Sequence, residues 1–141
     1  MRIPRNDSHD EADAGMMMRS EQSNVGRYYA SMEAALREPS PYRDEELFAP
    51  DCVEHGVDGD RSGTEVVAWL AARRRRYPDA VWTIEVLTSV GDMVICHATM
   101  LASLVSGGET RVMETVAARF VDGRIAECWR SVDEYRLPPR E

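Results

Sequence analysis

Lysine is missing from this chain of 141 residues: all 17 basic side chains are arginine, which reflects coding bias more than chemistry. No apolar run approaches the roughly 20 residues needed to span a bilayer, so no transmembrane helix is expected. Cysteine is scarce, with Cys52, Cys96 and Cys128 far apart and odd in number. They show no paired metal-ligand spacing and read as small buried thiols in a reduced, cytoplasmic setting. No glycine-rich loop suggests a nucleotide, and His55, His97 and Glu114 fall on separate strands rather than forming a zinc set. Neither cofactor nor metal is expected. Positive charge is in deficit as well: a formal net charge of −8 argues against nucleic acid and anionic membrane as partners.

What is present fits one soluble domain with a single core, 43% of the residues being apolar. The opening stretch "MRIPRNDSHDEADAGMMMRSEQSN" is acidic and polar, without the basic-then-apolar order of a signal peptide. Residues 1–20 read as a disordered tail and 21–137 as the domain, with Met16, Met17 and Met18 as alternative starts to Met1. Val25, Tyr28, Tyr29, Met32 and Leu36 recur at helical spacing, predicting a helix over 23–37. A short helix is expected over 43–48 and a short strand over "CVEHG", 52–56. "SGTEVVAWLAARRRRYPD" opens with a capping box, Ser62 and Glu65, and predicts a helix to about Tyr77. Its four arginines, 73–76, read as a solvated last turn suited to the helix dipole rather than as a phosphate or RNA patch. Strands follow over 81–90, 93–105, 110–121 and 125–134. Helices first and a meander after them give an α+β domain, helices covering one face of a curved antiparallel sheet.

Turn lengths decide which side chains share a face, because directly opposed residues of an antiparallel pair point the same way. A two-residue turn at Gly91-Asp92 sets His97 opposite Val86, Thr99 opposite Ile84 and Leu101 opposite Trp82. A second at Gly107-Gly108 sets Ala118, Val116 and Glu114 opposite His97, Thr99 and Leu101. The last turn has two solutions. A two-residue Asp122-Gly123 loop pairs Phe120 with Ile125; a three-residue loop through Arg124 pairs Val121 with Ile125 and Arg119 with Glu127. The ion pair selects the longer loop. One face then carries Trp82, Ile84, Val86, Ile95, Leu101, Val116, Ala118, Phe120, Ala126, Cys128 and Val132, with His97, Thr99, Glu114 and Arg130 as polar islands. Arg130 is expected to meet Glu114 in this apolar hollow. The other face carries Ala98, Met100, Met113, Ile125 and Trp129, and predicts a homodimer packed sheet to sheet.

At these residues the chain resembles a known group. "YY" on the first helix, "LFAPDCVEHG", "GTEVVAWLAARRRRYPD", "GDMVICHATM" and "VDGRIAECWRSVDEY" occur in the order and spacing of the SnoaL-like family of the nuclear transport factor 2-like superfamily, over roughly 24–136. The resemblance implies a cone of helices on a curved antiparallel sheet around one pocket, commonly dimeric. That superfamily includes polyketide cyclases, epoxide hydrolases, steroid isomerases, dehydratases and non-enzymatic binders, so the fold does not fix the function. The cyclases' last-strand aspartate corresponds to Arg130 and their helper histidine to Val116. The Arg-x-Asp pair of the limonene-type epoxide hydrolases corresponds to His97 and Thr99. Neither set is conserved in kind.

His97 is the leading acid/base candidate, since imidazole is tuned most readily near neutral pH; its alternative is a core histidine. Arg130 is expected to stabilise developing negative charge, with Glu114 as orienting group or second base; a structural ion pair is the other reading. Tyr28, Glu54, His55, Trp82, Thr99, Val116 and Cys128 are expected to line the substrate site. Glu54 and His55 lie on the segment that resembles the steroid isomerases' base-bearing stretch, and Tyr28 matches their oxyanion-donating tyrosine. These residues predict a cofactor-independent enzyme of secondary metabolism moving a proton on an apolar, carbonyl-bearing, polyketide-like substrate. The alternatives are a non-catalytic binding module for a small ligand or protein, and an epoxide hydrolase with a rearranged acid set.

Overall fold

A computed structural model of the chain describes residues 24–32 and 44–139. The expected tail over 1–20, the start methionines and the end of the first expected helix lie outside the described residues. Helix α1 covers 24–32 and α2 is the short turn Asp44–Leu47. Strand β1, Phe48–Gly56, is longer than "CVEHG" alone suggested, and turns back into β2, Gly59–Ser62, which the sequence reading did not anticipate. Helix α3, Gly63–Arg76, begins with the expected capping box: Ser62 Oγ accepts from the Glu65 amide, and the Glu65 carboxylate accepts from the Ser62 amide. Such a cap is worth about 1 kcal/mol. A side chain at Gly63 would collide with Phe48, its Cβ lying 2.8 Å from that of Phe48, so glycine lets the first turn of α3 sit directly on β1.

Four long strands complete the chain: β3 Val81–Val90, β4 Met93–Ser103, β5 Glu109–Val121 and β6 Arg124–Leu137. The sheet order is β2-β1-β6-β5-β4-β3. All pairs are antiparallel except β1 with β6, which run parallel, so the sheet is not a pure meander. The inner face packs under α1 and α3. Val25, Tyr28 and Val66 meet Leu87, Val94, Cys96, Ala98, Val116, Ala118, Phe120, Ile125 and Cys128 there. Among the described residues no helix is long and apolar enough to cross a membrane.

The register corrects several expected orientations. Gly91-Asp92 is the two-residue turn anticipated, and Val86 does pair with His97. An extra residue at Glu85 then bulges out, so Ile84 pairs with Ala98 and Trp82 with Met100. Between β4 and β5 the loop is not Gly107-Gly108 alone but five residues, 104–108, closed by Leu104 N–H donating to the Gly108 carbonyl at 3.0 Å. Both glycines have positive φ, 89° and 82°, inside that loop. Ser103 therefore opposes Glu109, and His97 opposes Thr115 instead of Ala118. That odd shift inverts β4 relative to β5. His97, Thr99, Ile95 and Leu101 turn outward, while Cys96, Ala98 and Met100 turn into the core. Met100, expected on an outer dimer face with Met113 and Trp129, is wholly buried. Only Trp129 (41% exposed) and the half-buried Met113 of that set remain outside.

The β5–β6 connection combines both sequence solutions. The turn is the two-residue Asp122-Gly123, with positive φ at both residues (51° and 80°), pairing Val121 with Arg124 and Phe120 with Ile125. A bulge at Ala126 then restores the pairing chosen from charge, Arg119 with Glu127 and Val116 with Arg130. Ile125 thereby enters the core, against expectation, and Cys128 and Arg130 keep their inward direction.

Candidate functional site

Between the helices and the inner sheet face lies a cavity of about 300 Å³. Its wall is mostly apolar: Met32 from α1, Leu47 and Phe48 at the entry to β1, Val67 and Leu70 from α3, and Trp82, Met100, Val116, Ala118 and Ile125 from the sheet. Its polar members are concentrated on Glu114, Arg130, Arg73, Arg74, Ser31 and the Tyr28 hydroxyl.

The charged part is a chain of ion pairs. Arg130 Nη1 meets Glu114 Oε1, and Arg130 Nε donates to Glu54 Oε1 at 2.8 Å. Arg73 Nη1 donates to the second oxygen of Glu114 at 2.7 Å. Glu54 has no exposure at all; its other oxygen faces Arg61 Nη1 at 3.5 Å, and Cys128 Sγ lies 3.3 Å from Oε1. Arg61 in turn holds the exposed Asp58 through Nη2, at 2.8 and 2.9 Å. Trp69 of α3 is the common platform. Arg61, Arg73 and Arg130 stand 4.8, 4.6 and 5.3 Å from its ring centre, and Arg73 also lies 4.6 Å from that of Trp82. Aromatic faces attract cations, and a planar guanidinium stacks on them.

Burial pulls Arg73 down to about 9, with repulsion from Arg130 as the second cause, so it is still a cation at neutral pH. Burial pushes the Tyr28 phenol well above its ordinary value, keeping it a neutral donor. Cys96 is pushed up by burial to about 11, with Arg130 acting against it. Cys128 is raised by its contact with Cys52 and by burial. None of these thiols sits in the electropositive, exposed setting a thiolate nucleophile needs.

The structure therefore brings together Arg130, Glu114, Tyr28, Trp82, Val116 and Cys128 around the cavity, with Glu54 directly behind Arg130. It does not bring His97, Thr99 or His55 there. His97 points to the outer face, where its Nδ1 lies 2.8 Å from Thr115 Oγ1. Thr99 bonds Glu85 on that same face. His55 stands outside the β1–β6 junction: Nε2 is 2.7 Å from Glu127, Nδ1 is 3.0 Å from Asp60, and its ring stacks near Trp129 at 5.5 Å. Both carboxylates favour the imidazolium and raise His55 above its ordinary value. Of the site residues not anticipated, Trp69 and Arg73 are the most consequential. The signal was present: Val66, Leu70, Arg73 and Tyr77 follow one helical face, which separates Arg73 from the exposed Arg75 and Arg76.

A family model described as "SnoaL-like domain" matches residues 25–128. No curated protein sequence matches the chain. Among solved structures, IdmH of Streptomyces antibioticus, a candidate polyketide cyclase, superposes with a TM-score of 0.65 at 20% identity, over 78% of this chain and 91% of that one. A SnoaL-like candidate polyketide cyclase from Jannaschia sp. CCS1 gives 0.69 at 16% identity, over 89% and 92%. An LEH-like epoxide hydrolase of M. tuberculosis gives 0.64 at 18% identity, over 81% and 85%. At such identities the likeness establishes the fold, the cone-shaped α+β fold of NTF2-like proteins.

Proposed function

The chain belongs to the SnoaL-like domain family, and from that premise we propose a cofactor-independent enzyme of secondary metabolism. It moves a proton on an apolar, carbonyl-bearing, polyketide-like substrate, in a cyclisation, isomerisation or dehydration. The observation that carries this reading is the Arg73–Glu114–Arg130 triad set into the wall of a mostly apolar cavity. As a proton leaves the carbon next to a carbonyl, negative charge grows on the oxygen. Two guanidiniums fixed by stacking and ion pairing, with the neutral Tyr28 hydroxyl beside them, are donors in place before the charge appears. Glu114, the carboxylate lining the cavity among the described residues, takes the proton when the substrate oxygen shares its arginines. The acid/base role expected of His97 passes to Glu114, because His97 faces away. The candidate polyketide cyclases among the structural neighbours are in keeping with such a substrate.

The test is α-proton exchange in D₂O, followed by NMR, across a panel of apolar β-diketones and β-ketoesters. Wild-type protein is expected to accelerate exchange in some members. Glu114→Gln and Arg130→Gln, checked for folding by near-ultraviolet circular dichroism, are each expected to lose about 100-fold or more, the first as the loss of a general base and the second as the loss of an oxyanion donor. A second reading, a non-catalytic pocket for a small ligand, is favoured by one observation: both Glu114 oxygens are already engaged by guanidiniums. Binding without exchange in any panel member selects that reading. Diol formation from epoxides would select the epoxide hydrolase instead.

A further inference from the structure

The guanidiniums around Trp69 are not equally provided for. Arg61 meets two carboxylates, Glu54 and Asp58. Arg130 also meets two, Glu54 and Glu114. Among the described residues Arg73 meets one, Glu114, and has to share it with Arg130. Yet Arg73 is well buried, its side chain only 15% exposed, and it lines the cavity while Arg61 does not. A buried cation short of a counter-charge is costly. The lowering of Arg73 by burial and by Arg130 is the same imbalance expressed as proton affinity.

We infer that the cavity's ligand is an apolar monoanion, which lays a carboxylate against the cavity edge of Arg73 and so supplies its second carboxylate. The Trp69 and Trp82 rings hold the guanidinium, each ring centre 4.6 Å from its carbon, and Glu114 takes the Nη1 end. The donors then lie along the plane's edge, the geometry that a carboxylate matches and a point charge does not. The rest of the molecule packs on Met32, Leu70, Met100 and Val116. The cavity's volume is at the small end of the range of roughly 300–1,000 Å³ for small-molecule sites, so the apolar body is compact. This inference rests on reading the cavity as the substrate site. It narrows the substrate from a carbonyl compound to one that also bears a carboxylate, a keto acid in chemical class.

Isothermal titration of the full chain with 1-naphthylacetate and with its neutral isostere 1-naphthylacetamide tests it. The acid is expected to bind at least about tenfold tighter, the worth of one charge-assisted hydrogen-bond pair. Arg73→Met, which leaves Arg130 and Glu114 paired with each other, brings the two affinities together. Arg73→Lys keeps the charge but loses the planar fork, and falls between. Equal affinities in the wild type overturn the inference, as does failure of the acid to bind at millimolar concentration, whether or not the variants fold. An undiminished preference in a folded Arg73→Met overturns it too. The proton-transfer reading fails separately: a carboxylate preference without α-exchange removes the enzyme and leaves the ligand class. Exchange on neutral ketones without that preference does the reverse.

Discussion

Glu54→Gln is the most demanding perturbation the ion-pair chain offers. Glu54 is wholly buried and takes Arg130 Nε at 2.8 Å on one oxygen and Arg61 at 3.5 Å on the other. Glutamine keeps the shape and one accepting oxygen but removes the charge, and puts an N–H₂ donor in contact with a guanidinium. Arg130 keeps Glu114, which it must still share with Arg73. Breaking a buried pair from one side costs about 3–5 kcal/mol, since the remaining ion has lost its solvent and its partner together. The retained hydrogen bond argues for the lower end, about 3 kcal/mol. With a urea m-value of about 1.5 kcal/mol/M, the unfolding midpoint falls by about 2 M. Glu127→Gln is the control: that carboxylate is about one-third exposed on the outer face, where solvent screens its pairs, and its loss is expected to move the midpoint far less. Replacing the inner pair together, Glu54→Leu with Arg130→Met, leaves neither ion stranded and is expected to cost less than Glu54→Gln alone. Equal midpoints for Glu54→Gln and Glu127→Gln would refute the account of a buried, charge-compensated scaffold behind the cavity.

His97→Ala is expected to leave α-proton exchange within about twofold of wild type, because the ring lies across the sheet from the cavity; a loss near the 100-fold of an oxyanion donor would contradict that. His55 carries a pH dependence. Its folded value is raised by Glu127 and then Asp60, and the unfolded chain lacks these partners. The contribution is therefore complete below about pH 6.5 and is lost as pH rises through the higher folded value. Melting curves of wild type and His55→Gln should converge between mildly acidic and mildly alkaline buffer; a constant gap counts against it. Cys96, held up at about 11 by burial, should resist iodoacetamide at pH 8 in the folded protein and react on unfolding. Labelling of Cys96 in the native state at the rate of a free thiol would show that the core under α1 opens.

Much of the fold was legible because its signals are local. The capping box fixed the start of α3, and the turn glycines marked the strand ends at the three hairpins from β3 to β6 to within a few residues. The site was legible where two residues lie on strands joined by a well-read register. Glu114 and Arg130 are such a pair, and the Arg119–Glu127 ion pair chose their alignment correctly although the turn itself was the other one. Parity is unforgiving elsewhere. Reading residues 107–108 as the whole turn, when the loop runs from 104 to 108, moved the β4 pairing by an odd number and put His97 and Thr99 inside. Trp82 was placed inward for a reason that does not hold: the inverted β4 and the unforeseen bulge at Glu85 cancelled. Arg73 was hidden by its neighbours, since four consecutive arginines look like a solvated run until the helical face is followed through Val66 and Leu70.

The bulge at Ala126 gives the sheet one position with an unusual tolerance. Ala126 is a spacer: without it, Ile125 would run straight into Glu127, and Phe120 and Arg119 would still find their partners. A gene that lost this codon would keep every inward side chain inward, giving up only the local bend that such a kink provides. Loss of the codon for Cys128 or Trp129, only a few bases downstream, would turn the remainder of that strand over and send the Arg130 guanidinium out into water. Over evolutionary time, length changes in this strand should therefore collect at one residue, and the shape of the hollow should drift while its chemistry stays where it is.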